Sequence, residues 1–219
     1  MDLTHKQLQK VRSAAVKDAI VVGNPIMPSV PSAPGETPQQ LPSLPGAEKE
    51  AEAIALLLHT KPLIGQDAAK TAMEQLMPNA RIIHLATHGL LDDERGIESA
   101  IALAPFGKDD GLLTASQILN LKLNAELVVL SACNTGRGRI TGDGVIGLSR
   151  SLITAGTSSV MVSLWSVPDA PTAFLMTEFY KNLQQNPDKA QALRQAMLTT
   201  MKQNPNPKDW AAFTLIGEP

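Results

Sequence analysis

At 219 residues, 43% of them hydrophobic and 18% charged, the chain has the length for a sizeable core and the composition of a globular protein. A count of 19 Lys and Arg against 21 Asp and Glu leaves a net charge of −2, without the basic excess of a nucleic-acid or membrane-surface binder. A single cysteine excludes an internal disulfide and a multi-cysteine zinc site, and no apolar run approaches the roughly 20 residues of a membrane span; the expectation is a cytoplasmic protein without metal or cofactor.

In chain order, Leu3 to Lys17 predicts a short polar helix, and Asp18 to Pro25 a strand ending in a turn. Residues 25–46 carry Pro25, Pro28, Pro31, Pro34, Pro38, Pro42 and Pro45, a density that predicts a mobile loop without helix or ladder pairing. Ala47 to His59 predicts a helix with Ile54, Leu57 and Leu58 inward. Lys61 to Ile64 reads as a short strand and Asp67 to Met77 as another helix. Arg81 to His88 is an apolar strand holding two histidines, followed by a polar loop at 92–96. Ile101 to Ala104 and Gly111 to Leu113 suit a hairpin, and Thr114 caps a helix reaching Asn120. Leu127 to Leu130 is a continuous apolar run with two valines, a strand buried on both faces. Asp143 to Thr154 is the next helix and Ser159 to Trp165 the next buried strand. Pro168 to Asn186 and Asp188 to Gln203 are amphipathic helices, and Phe213 to Ile216 closes the chain as a strand. This alternation predicts parallel βαβ units with helices on both faces of one sheet. Residues 1–18 read as an extension and 19–219 as one domain.

Chemistry gathers beyond the carboxyl ends of strands in such sheets. Two neighbouring runs end there in a histidine and the lone cysteine. On its own, Cys133 would be a small buried hydrophobe. However, it opens a loop, Asn134-Thr135-Gly136-Arg137-Gly138, and Arg137 and Arg139 give its thiol reason for a lowered pKa. His84 and His88 share one face at period two. His84, between Ile83 and Leu85, reads as a satisfied core histidine, and His88 as the base for a Cys133 nucleophile. Gly89 lets the chain turn and offers an unhindered N–H, so Gly89 and Cys133 are the candidate oxyanion hole. The run Gly136 to Gly142 also spells G-x-G-x-x-x-G, the rival reading of a dinucleotide loop, though the tight strand-to-helix turn is missing. Asp143 and Asp169 stand at helix starts, where capping explains them. Either would also supply an acidic substrate pocket favouring a basic residue before the cleaved bond, Asp143 being nearer the cysteine loop.

Together His84-Leu85-Ala86-Thr87-His88-Gly89, Leu130-Ser131-Ala132-Cys133-Asn134-Thr135-Gly136, Ser163-Leu164-Trp165-Ser166-Val167-Pro168-Asp169 and Trp210 to Gly217 resemble the CHAT domain. The resemblance implies a caspase-like cysteine peptidase, related to caspases and separase, often following tetratricopeptide repeats. It implies an α/β three-layer sandwich with a mostly parallel sheet, His88 as base and Cys133 as nucleophile. It also places a protein or peptide substrate beside the segment Ser163 to Asp169, including Trp165 and Ser166. A tetratricopeptide-repeat region or regulatory protein is the further partner it implies, and the chain reads as the C-terminal part of a longer protein. A catalytically silent interaction module is the alternative. Loops 25–46 and 135–144 are the expected seats of a latent state.

Overall fold

A computed structural model describes residues 17–31, 35–92, 96–131, 133–134 and 142–219, without the side chains of residues 17, 18, 133, 134 and 142–145. The predicted N-terminal helix, the arginines of the cysteine loop and the glycine-rich run up to residue 141 lie outside the described residues.

The main sheet has six strands in the order β12 (Phe213–Gly217), β11 (Ser159–Ser163), β9 (Leu127–Leu130), β5 (Ala80–Ala86), β1 (Lys17–Pro25) and β4 (Leu63–Gly65). All pairings are parallel except that of β12 with β11. The two apolar runs are neighbours at the centre, with Ile82 opposite Leu127 and Leu85 opposite Leu130. Every residue of β9 is buried, because both of its faces are covered.

Alternation along the strands sorts their side chains into two cores. Ile20, Val22, Ile83, Leu85, Val128 and Leu130 face one layer, which holds α2 (Lys70–Leu76), α3 (Ala115–Ile118) and α4 (Gly142–Thr154). Ala19, Val21, Ile82, Leu127 and Val129 face the other, with α1 (Pro45–Leu57), α5 (Asp169–Gln185) and α6 (Lys189–Gln203). The result is the expected three-layer α/β architecture. Thr114 closes a reciprocal capping box with Gln117 on α3, and Asp188 caps α6 through the Gln191 N–H.

Several expectations need correction. The proline-rich stretch is not free of regular structure: β2 (Ser29–Val30) pairs antiparallel with β3 (Gln39–Gln40), and α1 starts at Pro45. The prolines permit this, because a short two-stranded edge needs few N–H donors, and proline suits the first turn of a helix. Met27 and Val30 are buried there. The predicted helix 67–77 is a 3₁₀ turn followed by α2. Asp143 is not a cap, since α4 already begins at Gly142. Asp169 is not one either, because Pro168 holds that position and Asp169 is the first helical residue.

The histidine strand is also split. β5 ends at Ala86, Thr87 breaks the ladder, and β6 (His88–Leu90) belongs to a second sheet, ordered β10 (Cys133–Asn134), β6, β7 (Ala100–Ala102), β8 (Leu112–Thr114). β7 and β8 form the expected hairpin. Gly89 therefore continues a strand where a turn was expected, and the change of direction falls at Thr87.

Candidate active site

The second sheet sits on the carboxyl ends of the central strands. From Leu85 opposite Leu130, three residues further along each chain bring His88 opposite Cys133, in parallel register, with Asn134 opposite Gly89. Adjacent strands lie about 4.8 Å apart, so the two backbones are within side-chain reach of each other. Gly89 has β7 on its other side, opposite Ile101.

His88 is 1% exposed. Its Nε2 lies 2.7 Å from the Pro42 carbonyl oxygen. A carbonyl only accepts, so Nε2 carries the proton and the neutral ring keeps its lone pair on Nδ1. That Nδ1 is buried and has no hydrogen-bond partner among the described residues. Burial is the largest influence on this imidazole and holds its pKa below the ordinary value. The Pro42 bond and the negative charge of Asp169 pull the other way.

The Pro42 carbonyl is itself fixed from β1. Asn24, at φ 44°, accepts hydrogen bonds from the Leu44 N–H at 2.7 Å and the Ser43 hydroxyl at 3.1 Å. Its amide donates to Glu48 on α1 at 2.9 Å. Sequence reasoning missed this support. Asn24 before Pro25 reads as a turn, and nothing in the sequence marks which distant carbonyl meets His88.

His84 is fully buried within the α1–α5 layer. Its Nε2 lies 3.0 Å from Glu50 Oε1 and its Nδ1 3.2 Å from the Tyr180 hydroxyl, with the two rings edge to face at 5.6 Å. Burial and then the charge of Glu50 hold the Tyr180 phenol well above its usual range, so it remains an O–H that donates to Nδ1. His84 then donates from Nε2 to Glu50, and both ring nitrogens are occupied. A legible signal for Glu50 was its place in the apolar stripe of α1, beside Ala47, Ala51 and Ile54.

The other expected residues lie around this edge. Asp169 is exposed at the start of α5 and rests against Gly46, where a methyl group would overlap its carboxylate. Asp143 is the second residue of α4, which packs in the opposite layer from the helix that carries Asp169. Ser163 pairs with Phe213, and the Leu164 N–H donates to Ala212, so β12 occupies that edge as far as Leu164. Trp165 and Ser166 line an open groove of about 510 Å³ with Pro207 and Lys208, and the indole N–H donates to the Lys208 carbonyl at 3.1 Å.

The profile of the CHAT domain family matches residues 2–218. The chain is 31% identical to Tetratricopeptide repeat protein 28 of Mus musculus over 242 residues and 32% identical to the Homo sapiens protein over 240. It covers 94% of itself but spans only about 10% of the length of either. Among solved structures it is similar to the Arg-specific cysteine proteinase gingipain R, with a TM-score of 0.57 at 13% identity, covering 93% of this chain and 46% of that one. A complex of the pro- and mature domains of Porphyromonas gingivalis RgpB gives 0.58 at 13% identity, covering 93% and 48%. At that identity the likeness is one of fold.

Proposed function

Because this chain belongs to the CHAT domain family, we propose that it is a cysteine endopeptidase module hydrolysing protein substrates through Cys133 and His88. The observation that carries this reading is the register pairing of Cys133 with His88 across β10 and β6. Supporting it, the neutral His88 ring presents an Nδ1 lone pair with no partner among the described residues, the form a general base needs.

In the proposed reaction, His88 Nδ1 takes the Cys133 thiol proton, and the thiolate attacks the scissile carbonyl carbon. The N–H groups of Gly89 and Cys133 stabilise the oxyanion. His88 returns the proton to the leaving amine, and water then hydrolyses the thioester by the same base. The Pro42 carbonyl keeps the ring in the productive tautomer, the orienting task that a third residue performs in other nucleophile–base pairs. Trp165, Ser166 and Asp169 lie along the proposed path of the substrate, beyond Ser163 and Leu164 where β12 occupies the edge, and Asp143 borders the cysteine loop. A tetratricopeptide-repeat region in the same polypeptide fits as the regulatory partner, since the relatives carry that name. Cleavage of a peptide library by the wild-type chain, absent in Cys133→Ala, tests this function. An intact library with a folded wild-type protein would mean a silent module.

Two further results are expected. Because burial lowers the His88 pKa, the acid limb of kcat/KM should fall below about pH 6.5. Asp169→Asn, by removing a charge that raises this pKa, should shift the limb lower still; a limb above 6.5 would contradict the assignment. The same shift makes stability decline as pH drops below about 6.5, where the unfolded ring binds a proton that the folded one resists. Separately, Asn24→Ala should lower kcat by about 10- to 100-fold by loosening the Pro42 carbonyl. Steady-state kinetics on the folded variant checks this, and an unchanged kcat would remove Asn24 from the positioning role.

A further inference from the structure

Next to Thr87 lies a cavity of about 20 Å³, whose polar lining is Glu50 of α1, Thr87, Ser131, and Asp169 and Thr172 of α5, completed by Leu44, Ala47 and Val167. It sits where the proposed substrate would deliver a side chain, since Thr87 adjoins His88 and Ser131 stands two residues before Cys133. Its polar groups are unevenly disposed. The Thr87 hydroxyl spends its proton on the Ala102 carbonyl at 2.7 Å, and the Thr172 hydroxyl on the Pro168 carbonyl at 2.8 Å. Toward the cavity these two can only accept. Glu50, 3% exposed, and Asp169 at the rim add carboxylates, which also accept. Ser131, 8% exposed, has a buried Oγ without a hydrogen-bond partner among the described residues. A buried hydroxyl left in that state costs stability unless a ligand completes it.

Resting on the peptidase reading, we propose that this cavity receives the ammonium group of a lysine immediately before the scissile bond. The chemistry matches on two counts. An ammonium has three donors and no acceptor, the complement of the carboxylates and hydroxyl oxygens in the lining, and Leu44, Ala47 and Val167 suit its alkyl stem. It is also a compact charge of about the size of a water molecule, which a cavity of this volume admits, whereas a planar guanidinium is larger. Its alkyl stem would pass the rim beside Asp169, whose charge lies outside to attract it. Glu50 and Ser131 are thereby given a role in specificity, and Asp169 takes the mouth of the pocket.

Positional scanning of a peptide library with the wild-type chain should favour lysine before the cut over norleucine by about 100-fold, since only the ammonium can donate to the carboxylate and hydroxyl oxygens of the lining. Arginine should fall below lysine. Ser131→Ala should melt no lower than wild type, since it deletes an unsatisfied group, yet lose about 10-fold of the lysine preference. A merely structural serine would not separate these two readouts. Cleavage dependent on Cys133 but indifferent to lysine would overturn the pocket and leave the peptidase standing. Should no peptide be cut, binding to the Cys133→Ala protein still decides. Calorimetry with a lysine-terminated acetyl tripeptide and its norleucine counterpart would support the pocket if only the first binds, and would overturn it if both or neither do.

Discussion

Replacing Cys133 or His88 by alanine should reduce peptide turnover by at least about 10⁴-fold, because a nucleophile and its base act as a unit and loss of either removes the whole gain. The two variants should nevertheless remain folded. Cys133→Ala exchanges one small side chain for another. His88→Ala gives up one hydrogen bond to the Pro42 carbonyl, worth about 1 kcal/mol. Kinetics and thermal melting on the same preparations check both halves. Turnover in His88→Ala within a few-fold of wild type would end its assignment as base.

His84→Ala, four residues away on the same run, should do the reverse. The ring is wholly buried between Glu50 and Tyr180, and its removal leaves a carboxylate 4% exposed and a buried phenol without their shared partner. Breaking such a pair costs about 3–5 kcal/mol, which for a domain of this size lowers the melting temperature by roughly 10 °C. The edge-to-face contact with Tyr180 is lost as well. Cleavage measured well below the melting point should fall much less than in His88→Ala. A His84→Ala protein as stable as wild type would contradict the buried network.

The contrast between the two histidines was legible in the sequence, and it is instructive why the supporting parts were not. Apolar neighbours on both sides of His84 announced a core position. The break after Ala86 was not legible, and the run read as one strand to His88, because the small second sheet is built from pieces of two to three residues that no periodicity can mark. The central parallel strands were plain for the opposite reason: Leu127 to Leu130 is buried on both faces and must be apolar throughout. The proline-rich stretch misled, since its prolines sit at a short hairpin and at the first turn of α1, the places where a missing N–H costs least. Pro42 and Asn24 act on His88 through backbone carbonyl and side-chain amide at long range, 46 and 20 residues from their partners. Such contacts exist only once the sheet order is set. Asp143 and Asp169 looked equivalent as acidic residues at helix starts, and the layer in which each helix packs separates them.

The pairing of Cys133 with His88 is tested most directly by the pH dependence of Cys133 alkylation with iodoacetamide, followed by intact mass in wild type and His88→Ala. The wild-type thiol should be alkylated faster than that of His88→Ala at pH 7, with the advantage lost as pH falls below about 6.5 and His88 takes up a proton. Superimposable profiles in the two proteins would mean that His88 does not act on the cysteine.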